Sequence, residues 1–451
     1  MTPLPLPDGI LFVLFIAILA LLLLKPRIQQ LVRESRPEEK LAPQPAIDDV
    51  AADDTGVHGT RVQATTTTET KPDPSIGAHG DVSHAQATCF RISGIPFNWD
   101  SNRLRQALRD IDPELYLPPA ELSELFPACC DTSQVALLTL ERCTAYFQNF
   151  KHNDERQKVF AENGRKIRLV FDKHFYDLTP MNRPTTPIVV DVIAITGLGG
   201  HAFESWRSRT TTDRPVDRPM WLRDFLPQAI TGLRIMTYGY DSNLKNPSGA
   251  NLTDYRRNFM ECLQNARRDC PKRPIIFFGH NLGGILVVQT LIESRKHSKH
   301  RGILYCIRGV FFFGTPHQGL RTVEFDEMAG ELDDMDSQRK VRNLLAQLRE
   351  GSEYLENQKD DLSEMWGKLR GKVFTFHETE KTKSVKKLGS GVFERAGNEF
   401  QMVQRLSAQL YLPGESRFPI ASNNIDMVKF DSPQDRAFQT VVTSMKECLG
   451  A

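Results

Sequence analysis

The sequence has almost no net charge. Its 57 lysine and arginine residues face 56 aspartate and glutamate residues, which leaves a formal charge of +1 at pH 7. Because nucleic-acid-binding surfaces carry a marked excess of basic residues, nothing here indicates a nucleic-acid partner. The apolar fraction of 40% and the charged fraction of 25% are those of an ordinary globular protein with room for two or three domains.

The eight cysteines lack the spacings that mark disulfide frameworks or metal sites. None of them forms a C-x-x-C pair, and none recurs with histidines at a regular distance. The glycine turn at 197–200 lacks the G-x-G-x-x-G spacing and the downstream lysine of nucleotide-binding loops. We therefore predict reduced, mostly buried thiols in a cytosolic environment, with no metal and no cofactor.

Aromatic residues are absent between about residues 37 and 88, where Pro, Asp, Thr and Ala dominate. Such a segment cannot bury enough apolar surface to offset the entropy of folding. We predict that residues 28–88 form a disordered, flexible linker.

Residues 10–24 form an unbroken apolar run of fifteen residues, followed at once by Lys25 and Arg27. A comfortable membrane span needs about 20 residues, so a signal-peptide core and an uncleaved anchor both stay open. The lack of Lys or Arg before the run and of a small-x-small site after it favours an anchor in residues 1–27. The basic residues after the run predict a single-pass membrane protein with its folded part facing the cytosol; contact with anionic lipid is a second role for them.

Residues 89–184 predict a small α/β domain. Strand patterns occur at 89–92, 135–140 and 166–171, and a helical pattern at 101–110. An RNA-recognition module has a similar order, but the segment at 134–140 lacks the basic and aromatic residues on which bases stack. A packing domain is favoured, with Phe97 and Trp99 in its core.

Residues 185–451 predict a larger α/β domain. Strand patterns at 188–195, 234–238, 274–278, 309–313 and 373–376 alternate with helical patterns such as 252–268 and 284–296. This alternation is typical of a doubly wound, mostly parallel sheet, whose ligand site lies at the carboxyl ends of its strands. The charged stretch at about 324–369, with an apolar stripe of leucines, predicts a helical insertion, either a cap or a lid.

Residues 274–288 have the layout of a nucleophile elbow: a strand, a tight Gly-x-Asn-x-Gly turn and a helix. The central residue of such a turn is a nucleophilic serine, and here it is Asn281, whose amide is not a useful nucleophile. The turn forces its central residue toward a left-handed backbone, which asparagine tolerates well.

Several motifs in order give the sequence a specific resemblance. They are TGLGGHAF at 196–203, WLRDFLP at 221–227, RIMTYGYDS at 234–242, GHNLGG at 279–284, FGTPHQG at 313–319 and MVKF at 427–430. The chain resembles the α/β-hydrolase family of serine-active-site, lipase-like proteins, which has many filamentous-fungal members. The resemblance implies an α/β-hydrolase-type fold.

Active members of that family resemble acyl hydrolases with a serine, an acid and a histidine in that chain order. The resemblance places Asn281 at the nucleophile position, Glu378 at the acid position and Asn424 at the histidine position. Thr196 stands where the family commonly has histidine. Backbone N–H groups of Leu198 and Leu282 remain candidates for an oxyanion hole, since they do not depend on side-chain identity.

Three other residues carry weaker hypotheses. His280 is expected to pack or to form hydrogen bonds rather than to act as a base. His317 and Ser242 are the candidates for a displaced base and a displaced nucleophile.

Three functional hypotheses follow. The favoured one is a membrane-anchored hydrolase-fold protein that is catalytically degenerate and binds an acyl or lipid ligand or a protein partner. The alternative is an active ester or lipid hydrolase with an unorthodox site. A third hypothesis is an interaction protein in which residues 89–184 dock a partner.

Overall fold

A computed structural model describes residues 87–450, with gaps at 152, 163, 210–216, 246, 368, 370 and 389–392. The predicted anchor in residues 1–27, and the predicted linker up to residue 86, lie outside the described residues. Within the described part of the chain, no helix is long and apolar enough to cross a membrane.

The N-terminal sheet has five strands, and every neighbouring pair is antiparallel. Its elements are β1 Thr88–Ile95, α1 Ser101–Ile111, β2 Phe126–Pro127, β3 Gln134–Leu140, α2 Ala145–Gln148, β4 Glu155–Glu162 and β5 Arg165–Asp172. The strand order is β2-β3-β1-β5-β4. Helix α1 begins after Asp100, whose side chain accepts the Arg103 N–H at 2.8 Å, and it buries Leu104, Ala107 and Leu108 against the sheet.

The second face of this sheet packs against the larger domain. Cys89, Phe126 and Leu137 belong to the same apolar core as side chains of the larger sheet. A module that stacks bases on its sheet needs that face open, so the packing domain is the better interpretation. Trp99 is buried as predicted, but the prediction for Phe97 was wrong: its side chain is 61% exposed, in the turn between β1 and α1.

The larger sheet has seven strands. They are β6 Asp177–Pro180, β7 Val190–Ile195, β8 Leu233–Gly239, β9 Ile275–His280, β10 Ile307–Phe313, β11 Lys372–Glu378 and β16 Glu415–Ile420, in the order β16-β11-β10-β9-β7-β8-β6. All pairs are parallel except β6 with β8. The predicted α/β, mostly parallel sheet is confirmed, and β9 lies at its centre.

Helices cover both faces of this sheet. They are α3 Trp221–Asp224, α4 Leu226–Ala229, α5 Leu252–Ala266, α6 Leu282–Lys296, α7 Arg301–Cys306, α8 Val323–Gly330, α9 Met335–Leu348, α10 Glu353–Trp366, α11 Arg405–Ala408 and α12 Arg436–Leu449. Alternate residues of β7 face the two layers: Ile193 and Ile195 pack in the core with α5 and α6, whereas Val192 and Ala194 pack in the core with α12. The sheet therefore has a buried core on each side, which explains its continuous apolar strands.

The predicted insertion is helical and consists of α8, α9 and α10. Its leucine stripe, which comprises Leu344, Leu345, Leu348 and Leu355, is buried in the core that contains α6. Two short antiparallel pairs follow β11: β12 Thr382–Lys383 with β15 Glu399–Phe400, and β13 Lys386–Lys387 with β14 Phe393–Glu394. The lid function stays a prediction.

All eight cysteines are free. Cys89, Cys306 and Cys448 are buried, but Cys130 is exposed and the remaining four are half-buried. The reduced state agrees with the sequence analysis, whereas the expectation of mostly buried thiols was wrong. No disulfide joins any of these described residues.

Candidate active site

The elbow lies where the central strand β9 passes into α6. Asn281 connects them with φ +48° and ψ −120°, and its N–H donates to the Phe313 carbonyl of β10 at 2.9 Å. The positive φ that the sequence analysis predicted is present, although ψ lies outside the left-handed helical region. The tolerance of asparagine for a positive φ applies to the left-handed helical region, so the elbow holds Asn281 in a strained backbone conformation.

Glycines on both sides of Asn281 allow the turn to pack tightly. A Cβ on Gly279 would lie 2.5 Å from the Gly284 Cα, and a Cβ on Gly283 would lie 2.3 Å from the Ile195 carbonyl oxygen. Both distances are far below van der Waals contact. The first turn of α6 therefore packs directly against the end of β7, and only glycine fits there.

The side chains of Asn281 and Asn424 are hydrogen-bonded to each other. Nδ2 of Asn281 donates to Oδ1 of Asn424 at 2.8 Å and also lies 3.4 Å from the Met402 sulfur. Nδ2 of Asn424 donates to the Gly314 carbonyl at 3.2 Å, and a Cβ on Gly314 would lie 2.2 Å from that nitrogen. Gly314 thus provides the room in which Asn424 reaches the elbow.

Glu378 is a hydrogen-bonded neighbour of Asn424. It is the last residue of β11 rather than the residue after the strand, it is 1% exposed, and it accepts the Val403 N–H at 2.9 Å. Burial raises the pKa of Glu378 to about 7, and hydrogen bonds from Val403 and Asn424 oppose that rise. The three residues that the sequence analysis singled out therefore form one contiguous row, in the order Glu378, Asn424, Asn281.

The Leu282 N–H is already engaged. It donates to Oδ1 of Asn281 at 2.7 Å, so the amide of Asn281 uses both of its ends inside the protein. The expectation that this donor does not depend on side-chain identity needs correction, because the amide oxygen of Asn281 occupies the Leu282 N–H, and a serine carries no such oxygen. Leu198, the other predicted donor, lines the pocket described below.

The weaker candidates occupy structural positions. The Ser242 hydroxyl accepts the Gly199 N–H at 3.0 Å and so holds the glycine turn rather than facing Asn281. His280 donates from Nε2 to the Asn424 carbonyl at 2.7 Å, and burial lowers its pKa to about 4, so the ring is neutral. His317 is buried against the edge of Phe312, and burial lowers its pKa to about 3.

The glycine turn at 197–200 is also held by hydrogen bonds of the residues on either side of it. His201 accepts the N–H groups of Phe203 and Glu204 at Nδ1 and donates from Nε2 to the Lys173 carbonyl at 2.7 Å. Thr196, at the position where the resembled family has histidine, shares a hydrogen bond with the Ser205 hydroxyl at 2.9 Å. These contacts fix the turn without any group of the predicted triad.

A pocket of about 240 Å³ opens above Asn281. Its lining includes Leu198, His280, Asn281 and Asn424, but not Glu378, Ser242 or His317. Sequence reasoning missed its other main lining residues, which are His201, Phe325, Arg395, Met402 and Lys429. Of these, His201 and Lys429 stood within quoted motifs.

A larger cavity of about 670 Å³ lies beside this pocket. It is lined by the ends of β11 and β16 and the start of α12, and it shares Lys429 with the pocket. Asn281 does not line it. The smaller pocket is therefore the one that corresponds to the elbow.

No family model matches the chain. Among curated proteins it is similar to Protein SERAC1 of Mus musculus, with 30% identity over 57% of this chain and 40% of the relative. It is also similar to Protein SERAC1 of Homo sapiens, with 28% identity over 37% of this chain and 28% of the relative. The chain thus matches less than half the length of either relative. Both are mammalian, and they lend no support to the filamentous-fungal part of the resemblance.

Among solved structures, the chain is similar to the mature lipase BlEst2 of Bacillus licheniformis. The identity is 14% and the TM-score is 0.39, over 60% of this chain and 97% of that chain. The carboxylesterase CesB of Bacillus subtilis gives 10% identity and a TM-score of 0.34, over 65% of this chain and 92% of that chain. The strand order and the elbow at the central strand are those of an α/β-hydrolase fold.

Proposed function

We propose that this chain is a catalytically degenerate hydrolase that binds a small acyl ligand in the pocket above Asn281. The observation that carries the proposal is the hydrogen bond between Asn281 and Asn424. Two amides occupy the positions at which attack and proton transfer would take place, and a pocket is still present beside them.

Neither amide supplies the missing chemistry. An acyl hydrolase of this type needs an activated oxygen nucleophile and a base that takes its proton. A carboxamide offers neither near neutral pH, because its nitrogen lone pair is delocalised and its oxygen is a weak base. Glu378 is ionisable, but Asn424 stands between it and Asn281, and it does not line the pocket.

The alternative of an active hydrolase with an unorthodox site has less support. Its candidate nucleophile, Ser242, is bound to the glycine turn, and its candidate base, His317, is buried against Phe312. Neither residue lines the pocket. An active enzyme would need both side chains to leave these positions.

Covalent labelling separates the two functions. The full chain is treated with a fluorescent alkyl fluorophosphonate, with Ser242→Ala as a matched variant. We expect no adduct on the wild-type protein. An adduct on the wild type that is lost in Ser242→Ala would establish the alternative.

We further propose that residues 1–27 anchor the protein in a membrane, with the folded part facing the cytosol. The support is the apolar run at 10–24 and the basic residues that follow it. Fractionation of cells that express the full chain, followed by alkaline extraction, tests the anchor against a variant that lacks residues 1–27. Release of the full chain by alkali would contradict it, and protease resistance of the folded part in intact organelles would contradict the orientation.

A further inference from the structure

Positive charge concentrates beside the pocket. Arg395 and Lys429 line the pocket, and Arg209 lies next to Lys429 at the larger cavity. Arg209 and Lys429 share the carboxylate of Asp426, which contacts Arg209 and lies 3.6 Å from the Lys429 Nζ. In the described lining of the pocket itself, the positive charge comes from Arg395 and Lys429. The other acidic residues nearby line only the larger cavity and are Glu380, Asp431 and Asp435.

The other charged or titratable residues of the lining do not offset this excess. Glu204 is engaged by Arg207 at 3.2 Å and by Arg218 at 4.0 Å. The ring of His201 accepts two backbone N–H groups at Nδ1, so that nitrogen carries no proton and the ring is neutral. The lining thus retains an excess of positive charge.

Lys429 lines both the pocket and the larger cavity. Its side chain is only 14% exposed. Burial lowers the pKa of Lys429; Asp426 opposes this effect, and Arg209 and Arg218 add to it. A half-buried ammonium that is repelled by neighbouring guanidinium groups is stabilised by an additional anion.

The Leu282 N–H of the elbow cannot bind an anion in place of these cations. In a working hydrolase, the amide after the nucleophile binds the developing oxyanion. Here the Leu282 N–H is used by Asn281 Oδ1 at 2.7 Å. A negatively charged ligand oxygen must therefore find its donors elsewhere in the pocket.

We propose that the pocket selects a ligand with a carboxylate on a short apolar chain, and that Lys429, assisted by Arg395, binds the carboxylate. The inference rests on the proposed binding function and deepens it. Leu198, Phe325, Met402 and Ile425 provide apolar lining for the chain. A volume of about 240 Å³ is below that of sites for drug-sized ligands, about 300–1,000 Å³, which favours a short single chain.

Calorimetric titration of the full chain with octanoate and with octanol tests the inference. The two probes share a chain and differ in the charged group. We expect octanoate to bind at least tenfold more tightly than octanol. Lys429→Met removes the ammonium but keeps an unbranched side chain, and it should weaken octanoate binding about tenfold while leaving octanol binding within twofold.

Two further variants keep the result interpretable. Lys272→Met changes an exposed lysine before β9, at the opposite end of the sheet, and should bind octanoate as the wild type does. Arg395→Met should also weaken octanoate binding, and it serves as the test if Lys429→Met fails to fold. Equal binding of octanol and octanoate, with no effect of Lys429→Met or Arg395→Met, would overturn the carboxylate assignment and leave the proposed function standing. No binding of either probe would overturn both.

Discussion

Nδ2 of Asn281 donates a hydrogen bond to Oδ1 of Asn424 over 2.8 Å, across the two positions that a hydrolase would use for its nucleophile and its base. The pair is buried, with exposures of 4% and 1%. Because each asparagine satisfies the other, the two substitutions form one unit. A serine in place of Asn281 alone would face an amide that cannot take its proton.

Restoring both residues should restore reactivity. In Asn281→Ser with Asn424→His, the new imidazole would lie between the serine and Glu378, in the row that now holds Asn424. The serine would also release the Leu282 N–H for an oxyanion. We expect fluorophosphonate labelling to rise at least tenfold above that of the wild type, and neither single variant to approach this rate.

Adding Glu378→Gln to the double variant is the control for that experiment. Loss of the orienting carboxylate should reduce labelling strongly, because the histidine would lose the group that stabilises its charged form. Labelling of Asn281→Ser alone at the rate of the double variant would contradict the paired loss.

Removing the Asn281 side chain should lower stability. Asn281→Ala deletes the bond to the Leu282 N–H, worth about 1 kcal/mol as a helix cap, and leaves Asn424 Oδ1 without its donor at a cost of about 1–3 kcal/mol. We expect the free energy of unfolding to fall by about 2–4 kcal/mol in urea denaturation.

Asn281→Gly is the matched variant, because it loses the same hydrogen bonds but tolerates φ +48°. It should be more stable than Asn281→Ala by about 1 kcal/mol. The reverse order would show that the positive φ of the elbow carries no strain.

Gly314 should be essential for the position of Asn424. A Cβ at Gly314 would lie 2.2 Å from Asn424 Nδ2, and φ there is +51°. We expect Gly314→Ala to displace Asn424, to lower the midpoint of thermal unfolding and to weaken octanoate binding. Gly302→Ala is the control, since its Cβ would meet nothing within 4 Å. Equal effects of the two variants would contradict the assigned contact.

Glu378 should make stability depend on pH. Its pKa is raised to about 7 by burial, whereas an unfolded glutamate titrates near about 4.3. Between these values the folded state binds more protons, so the free energy of unfolding falls as pH rises, by at most about 1.4 kcal/mol per pH unit. Denaturation at pH 5 and pH 8 should show this loss in the wild type relative to Glu378→Gln.

His280 and His317 act with the opposite sign. Their pKa values are lowered to about 4 and about 3, below the unfolded value of about 6.5, so their contribution to stability is lost as pH falls. Both remain in Glu378→Gln and cancel in the difference between the two proteins. Equal pH slopes for the two proteins would show that Glu378 ionises normally.

Much of the fold could be predicted because the parallel strands are apolar on both faces. The strands that contain Phe277 and Phe311 stand out as continuous apolar runs between turn residues, and their parallel direction follows from the alternation with helices. The edge strands β6 and β16 were missed. Each contains a proline, and β16 mixes polar and apolar residues because one side of it has no partner strand.

The site could be predicted only in part. The motifs indicated Asn281, Glu378 and Asn424, but not that the amide of Asn281 would use the Leu282 N–H, since that bond depends on a side-chain rotamer. Arg395 and Phe325 come from segments distant in sequence, and only the packing of the insertion and the short strand pairs brings them to the pocket. Lys429 could have been found from its position five residues after Asn424.

Hydrolysis of p-nitrophenyl butyrate by the full chain, with Asn281→Ala and Glu378→Gln measured beside it, tests the central claim most directly. A degenerate site predicts no turnover of the wild type above that of Asn281→Ala, from pH 6 to pH 9. Wild-type turnover that disappears in Glu378→Gln would contradict the account, because it would mean that the acid position still serves a working catalytic site.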